Sequence, residues 1–506
     1  MPGTAQDIER EVFDLLVIGG GVNGAGIARD AAGRGLKVLL CERGDLAGAT
    51  SSASSKLIHG GLRYLEYYEF RLVREALLER EVLLASAPHI IWPLRFVLPH
   101  DRHLRPAWMI RAGLFLYDHL ARRRALAGSA AIDLGADPAG GPMRPAFRRA
   151  FVYSDCWVDD ARLVVLLAMD AAERGARVLT RTECAAAERA DGLWQATLKD
   201  AFGRALRVRG RALVNAAGPW VGQVLGRVLG RPDAVPPRLV KGSHIVVPRL
   251  YEGAHAYILQ NPDRRIVFVL PYEGRFSLIG TTDVPFAGDP SRVAIADDET
   301  AYLCAAVGRW FARPPEPGAV AWSYAGVRPL FDDARDNPSA VTRDYVLRLD
   351  DEAGRAPLLS VYGGKITTFR RLAEHALAKL AAFLPGMGPA WTARGVLPGG
   401  DVGGDFAAFV AEQRRRYAFL PAATVARMAH AYGSRIGRVL DGARSAADLG
   451  RDLGGGLSER EADYLVAREW ARTAEDILWR RSKLGLHAPA AAAALADWLQ
   501  RRGRAA

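Results

Sequence analysis

Apolar and polar positions along this chain fall into units whose character changes as the chain proceeds. The first is an apolar run at 14–18 that ends in glycines and passes into a small-residue helix, the pattern of a buried strand feeding a helix. A second apolar strand, 37–42, closes on Glu42. Leu and Val at three- and four-residue intervals predict a helix over 70–86, and 104–124 predicts another that is both apolar and strongly basic. A Pro/Gly-rich linker occupies 136–146. From Ala161 a helix leads to a strand at 176–181. Short strands follow at 193–198 and 205–208, then an apolar run at 212–218. Strands are predicted at 244–247, 265–270, 276–280 and 358–362, the last entering Gly363-Gly364-Lys365 and a helix to about Phe383. Past Pro385 the composition shifts. A Gly-rich joint at 399–404 introduces about a hundred residues rich in Ala and Arg, helical in spacing and without strand signal.

The opening unit carries the first chemistry. Gly19-x-Gly21-x-x-Gly24 follows a strand and opens a helix, and Glu42 ends the next strand. Gly19 permits a tight turn, Gly21 lets backbone approach a pyrophosphate, and Gly24 lets helix and strand pack closely. The helix N-terminus then faces the phosphates with free N–H groups and the positive end of its dipole. A carboxylate at Glu42 suits a ribose hydroxyl. This clamp specifies a dinucleotide and leaves FAD and NAD open.

The 506 residues suffice for two or three domains, and half are hydrophobic, as in ordinary globular proteins. The formal charge of +12 favours anionic partners. Nucleic acid is not among those indicated, because no groove-reading motif or basic-aromatic stripe accompanies the charge. The four cysteines lack metal-ligand spacing, so neither a metal site nor a disulfide framework is implied, and a reducing compartment is the simpler reading. No secretory signal opens the chain, and no stretch reaches the roughly 18 apolar residues needed to span a bilayer.

Several longer motifs extend the picture: Thr50-Ser-Ser-Ala-Ser-Ser-Lys-Leu-Ile-His-Gly-Gly-Leu-Arg-Tyr64, Tyr153-Ser-Asp-Cys-Trp-Val-Asp-Asp160, Lys241-Gly-Ser-His244, Gly280-Thr-Thr-Asp283, Gly326-Val-Arg-Pro329, Thr342-Arg-Asp-Tyr345 and Gly363-Gly-Lys-Ile-Thr-Thr368. Together with the clamp they resemble the FAD-dependent glycerol-3-phosphate dehydrogenases, in particular the bacterial respiratory type, over nearly the whole chain. The resemblance implies an α/β fold with a Rossmann-like FAD-binding domain of the D-amino-acid-oxidase type, a mixed-sheet substrate domain and an all-α C-terminal domain. The implied limits are 12–392 for the oxidoreductase domain (FAD part 12–90, 150–240 and 325–392; substrate part 91–149 and 241–324) and 393–506 for the helical domain. The implied reaction takes sn-glycerol 3-phosphate to dihydroxyacetone phosphate, with hydride passing from carbon 2 to flavin N5 and electrons to ubiquinone or menaquinone. A homodimer, peripheral on the cytoplasmic face of the inner membrane, is implied as well.

Under that resemblance, Gly19, Gly20, Gly21, Val22, Asn23 and Gly24, with Glu42 and Arg43, hold the adenosine diphosphate half of FAD, and no residue of the sequence announces a covalent link to the flavin. Ala216 and Gly218, at the end of a strand, lie beside it. Thr50, Ser51, Ser52, Ser54, Ser55, Lys56, His59, Gly60 and Gly61 offer hydroxyls, side-chain nitrogens and open backbone to the flavin. The turn Gly363, Gly364, Lys365, Ile366 and Thr367 sets N–H groups and a helix dipole against the ring edge where charge develops. Arg63, Tyr64, Arg328, Arg343 and Lys365 line the substrate pocket, where a phosphate dianion needs several cations. The apolar context of Arg328 suggests burial beside a partner. His59 and His244 both stand as candidates for the base that removes the hydroxyl proton. The place of His59 before Gly60-Gly61 favours it, with His244 orienting substrate.

Three choices remain open at this level. An amine or hydroxy-acid oxidase of the same fold would need one Arg for a carboxylate rather than a cluster for phosphate. A flavin-binding sensor would dispense with the pocket Arg and His positions, which are present here. The 104–124 helix fits either a membrane interface, with Trp108, Phe115 and Tyr117 down and Arg111 and Arg122–Arg124 at headgroups, or a core helix with a cationic C-terminus. The run 414–416 reads as a solvated helix face.

Overall fold

The structure, a computed structural model, describes residues 5–231, 236–331 and 344–505. Two sheets stand side by side. The first is parallel at its centre, with strands Arg355–Tyr362, Ala205–Asn215, Val12–Ile18, Val38–Glu42 and Arg177–Thr180 adjacent in that order. Strand Val346–Glu352 pairs antiparallel at one edge, and the hairpin Thr182–Ala190/Leu193–Asp200 extends from the first half of Ala205–Asn215. Central strands buried on both faces must be continuously apolar, and Leu15, Leu16, Val17 and Ile18 satisfy this. The helix Val22–Gly33 lies against the helices Asp160–Glu173 and Phe369–Leu380. Its small residues are a packing requirement. A Cβ on Gly26 would sit 2.8 Å from the Phe369 ring.

The second sheet has ten strands and is mostly antiparallel. Its long members are Arg149–Val158 paired with Ile91–Pro99, and Arg238–Pro248 flanked by Phe276–Gly280 and Trp322–Leu330. Ile91–Pro99 was not foreseen, because prolines at 93 and 99 demote a strand reading from sequence. The predicted strands at 205–208 and 212–218 are one strand, Ala205–Asn215. The linker expected at 136–146 is instead packed structure. Ala139 and Met143 are buried, and the Ala139 carbonyl accepts the Tyr257 hydroxyl at 2.6 Å. Glycine and proline there shape a tight turn, Pro138–Gly140, capped by Asp137.

From Phe383 to Asp405 the chain is mostly irregular, and Leu384 and Leu397 pack into the first core. From Phe406 it is mainly helical, with a core of its own formed by Val425, Met428, Val439, Leu457, Leu465, Ile477 and Leu495. Buried ion pairs fasten it to the first sheet's layer. Arg162 meets Glu469 in a bidentate pair and donates to the Ala431 carbonyl at 2.7 Å, and Arg481 grips Asp45 with two bonds of 2.8 Å. Arg480 joins the same carboxylate at 2.7 Å. Arg414, Arg415 and Arg416 lie exposed on the helix Phe406–Arg416.

Removing one member of a buried ion pair leaves an uncompensated charge, typically at a cost of about 3–5 kcal/mol. Arg162→Met is therefore expected to lower stability to denaturant by about that amount, through the stranded carboxylate of Glu469. An unfolding midpoint matching the parent chain would show that this pair does not bind the two parts together.

Candidate functional site

The glycine turn after Val12–Ile18 is built against the end of the neighbouring strand. Gly19 has φ +112°, and a Cβ there would come within 2.5 Å of the Ala216 carbonyl oxygen. A Cβ on Gly24 would lie 1.9 Å from the Gly19 carbonyl oxygen, which forbids any side chain. Gly21 is different: only the Ser51 hydroxyl, 3.1 Å away, borders its missing Cβ. That open face at a helix N-terminus is where a pyrophosphate would lie, so the residues present fit a dinucleotide. Glu42 is tied in from both oxygens, accepting the Gly20 N–H at 2.6 Å and the Gly44 N–H at 2.7 Å. Burial pushes its carboxyl up, and these two amides oppose the shift. The Arg43 guanidinium stacks on Trp220 at 4.0 Å, just past Gly218.

The Ser-rich loop turns most of its hydroxyls toward protein. Thr50 donates to the Val327 carbonyl at 2.7 Å, Ser52 to Ala49 at 3.2 Å, and Ser54 to Asp160 at 2.8 Å. Ser51 accepts the Val22 N–H at 3.0 Å, which leaves its own proton to give. Lys56 departs from expectation: its ammonium is buried, 2.9 Å from each oxygen of Asp160, and serves the fold rather than an anion in the cleft. The late turn reaches the clamp directly. Asn23 Nδ2 donates to the Gly363 carbonyl at 3.0 Å across 340 residues, and its buried Oδ1 has no partner among the described residues. Gly363 (φ +71°) and Gly364 (φ +94°) both take left-handed backbone. The helix expected straight after Lys365 begins only at Phe369, and Thr367 accepts the His59 N–H at 3.2 Å.

These elements enclose a cleft of about 590 Å³, whose walls include Thr50, Arg63, Tyr64, Arg328, Gly364 and Lys365. The Lys365 ammonium lies 4.2 Å from the Tyr64 ring centre. Arg328 is not buried as its apolar context suggested. It is 42% exposed, with its guanidinium 3.0 Å from Asp283 at the cleft. Arg343 lies outside the described residues. Sequence reading missed the Asp263-Arg264-Arg265 wall, Tyr67 and Asp283. Only the Gly280–Asp283 motif and the basic pair hinted at them.

The two histidines separate. His59 is half-buried near the cleft's Lys365 without itself lining the cleft, and its ring nitrogens have no hydrogen bond among the described residues. Burial lowers its pKa below the usual 6.5, Lys365 adds to that, and Asp155 opposes. His244 is not brought into the cleft. Its ring is 3% exposed and stacked on Tyr324, with Nε2 2.9 Å from the Ser55 hydroxyl. Burial, with Lys56 and Arg328 nearby, brings its pKa down to about 3, so it stays neutral.

The clamp, the loop and the late turn define an FAD-dependent oxidoreductase, and residues 14–370 match the family model of that description. Residues 390–502 match the model for the C-terminal domain of alpha-glycerophosphate oxidase. The chain is 58% identical to a glycerol-3-phosphate dehydrogenase of Pseudomonas aeruginosa, over 97% of this chain and 95% of that one. It is 54% identical to a D-erythritol 1-phosphate dehydrogenase of Brucella abortus, over 97% and 98%. Among solved structures it resembles the glycerol-3-phosphate dehydrogenase of Bacillus halodurans complexed with FAD, at 26% identity and TM-score 0.79, covering 98% and 92%. The chain belongs to the FAD-dependent glycerol-3-phosphate dehydrogenase family, and its cofactor is FAD.

Gly24→Ala puts a methyl against the Gly19 carbonyl and displaces the turn. Purified Gly24→Ala protein is expected to carry about a tenth or less of the parent's flavin per chain, measured by visible absorbance, given the severity of backbone overlap. Full flavin content would show that the turn adapts.

Proposed function

We propose that this chain oxidises sn-glycerol 3-phosphate to dihydroxyacetone phosphate. The observation that carries the reading is the convergence of Arg63, Arg328 and Lys365 on one cleft at the Gly363-Gly364 turn. Three cations suit a phosphate dianion, whereas a carboxylate substrate needs one Arg. His59, neutral and next to this cleft, takes the proton of the carbon-2 hydroxyl. The same carbon gives up its hydrogen as hydride. FAD, when bound, supplies the two-electron acceptor. Glu42, Ser51 and the Gly19–Gly24 turn would hold its adenosine diphosphate half, with the late glycine turn at the flavin. Asp283 keeps the Arg328 guanidinium aimed at the cleft until phosphate replaces it.

The electron acceptor we assign is a quinone, reached from a membrane surface. The helix Ala107–His119 supports this. Only Leu114 and Tyr117 are buried, while Trp108 (70%) and Phe115 (57%) stand exposed. Tyr67, Tyr68 and Phe70 add exposed rings on the neighbouring segment, and Arg105, Arg111, Arg122 and Arg124, on the helix and just beyond its two ends, are exposed as well. A core helix would not show this face to solvent, whereas an anionic bilayer surface accepts both its rings and its guanidinium groups. Among the described residues no helix is long and apolar enough to cross a membrane.

Anaerobic mixing of the purified holoprotein with sn-glycerol 3-phosphate should bleach the flavin. Reduction by amino acids but not by phosphorylated polyols would overturn the reading, and preference for D-erythritol 1-phosphate would shift it to a four-carbon substrate. Arg328→Ala removes a charge-assisted bond worth roughly 1.5–3 kcal/mol and should raise KM for glycerol 3-phosphate about 10- to 150-fold while sparing unphosphorylated glycerol.

Because the His59 pKa is lowered, the neutral base persists to pH values below 6.5. The rate falls as pH drops through that lowered value and the ring takes up a proton. The acid limb of kcat/KM should therefore lie below pH 6.5 and disappear in His59→Asn. A limb unchanged in that variant would exclude His59 as the base. Co-sedimentation with phosphatidylglycerol vesicles should weaken by about tenfold in Trp108→Ser/Phe115→Ser and fall with added salt. Equal binding by parent and variant would place the membrane contact elsewhere.

A further inference from the structure

The helix Ala107–His119, so exposed on most of its face, sends one side chain deep into the molecule. Tyr117 is 2% exposed and inserts beneath the His59-Gly60-Gly61 turn. Its hydroxyl donates to Asp155, with oxygens at 2.8 and 2.9 Å, and accepts the Gly60 N–H at 2.9 Å. The Gly60 N–H also lies 3.3 Å from Asp155 Oδ1. Asp155 is fixed from the other side by Arg80, 2.6 Å away, in an ion pair exposed by 2% at each partner. Arg80 is anchored in turn by the Ser154 carbonyl at 2.7 Å. The ring of Tyr117 packs edge-on against Tyr153 at 5.8 Å.

Nothing about this cluster is needed for packing alone. A phenol, a carboxylate and a guanidinium are costly to bury, and three apolar side chains would fill the space at less expense. What the polar set provides is direction. The Gly60 amide cannot find a partner within a strand or helix, and a buried N–H left alone would cost free energy. The Tyr117 hydroxyl supplies the shorter of the amide's two bonds, at 2.9 Å, and Asp155 Oδ1 the longer, at 3.3 Å, so that losing the hydroxyl leaves the amide with its weaker acceptor. Space around the amide is also closed, since a Cβ on Gly60 would meet both the Tyr117 oxygen and Leu77 Cδ2 at 2.5 Å. The residue so held is the neighbour of His59, whose own backbone N–H is bonded on the opposite side to Thr367.

We infer that Tyr117 is a positioning residue: its hydroxyl, oriented by Asp155 and Arg80, sets the His59-Gly60 turn, and through it the exposed helix and the reacting site move as one body. The inference rests on the proposed role of His59 for its kinetic consequence, but the structural link stands apart from that role. The substitution that isolates it is Tyr117→Phe, which keeps the ring and its packing.

Two measurements on the holoprotein test this. Hydrogen exchange followed by mass spectrometry should show the peptide spanning 57–64 exchanging at least tenfold faster in Tyr117→Phe, with other peptides and the melting temperature little changed. Stopped-flow reduction of the flavin by glycerol 3-phosphate should slow about tenfold at saturating substrate, with half-saturation within twofold. Tyr417→Phe, which removes a similar tyrosine–aspartate bond to Asp441 far along the chain, should change neither. Unchanged exchange at 57–64 would overturn the link itself. Faster exchange with an unchanged saturating rate would overturn the positioning role while keeping the contact. A parent protein that glycerol 3-phosphate does not bleach would count against the proposed reaction and leave the exchange result to decide the link.

Discussion

The buried carboxylate of Asp160 is the point on which the rest of the structure turns. It stands at the first residue of the helix Asp160–Glu173, takes the ammonium of Lys56 at 2.9 Å and accepts the Ser54 hydroxyl at 2.8 Å. The Lys483 ammonium approaches from the C-terminal helical region, 3.5 Å from Asp159 and 3.9 Å from Asp160. Lys56 also lies 5.0 Å from the Tyr324 ring centre, on the strand Trp322–Leu330 of the second sheet. One anion thus joins the Ser-rich loop, the helix Asp160–Glu173, the second sheet and the C-terminal region. A fully buried Lys tolerates its charge only with such a partner: burial pulls its pKa down, and Asp160 pulls it back. The shape of the loop beneath the cleft follows from where that charge must go.

The local elements were legible because their signals are local. The helix Phe70–Ser86 and the strand Phe276–Gly280 have the limits their spacing predicts. The glycine turn was legible because strand, glycines, helix and acid come in order. Relations between distant segments left no such trace. Asn23 meets Gly363, and Thr50 meets Val327, through bonds no periodicity announces. The Pro/Gly-rich stretch at 136–146 misled for a related reason: the same residues that loosen a linker also make the tight turns of a packed one.

At the site, residue type was readable and orientation was not. Lys56 and Arg63 are both basic residues of one motif, yet one faces Asp160 and the other faces the cleft. His59 and His244 offered the same imidazole, and depth distinguishes them. Among the described residues the first keeps its nitrogens without partners, whereas the second spends Nε2 on Ser55 and leaves Nδ1 buried and unpartnered. Arg328 shows the converse error. An apolar run on a strand buries alternate side chains, so the residue between two buried neighbours can point outward, as Arg328 does between Val327 and Pro329.

The pairs Arg162–Glu469 and Arg481–Asp45 have an implication for how this chain can change over generations. Each places one charge on the FAD side and its complement hundreds of positions later, both sealed from water. A substitution at either member is damaging alone and tolerable only with its counterpart. The two regions are therefore physically constrained to change together. Exchanging the C-terminal region for one from a distant relative would mismatch charges in the interior before it altered any surface. Variation within the family is expected to be freest where these pairs are not, on the outer faces of the C-terminal helices, and most coupled across the joint.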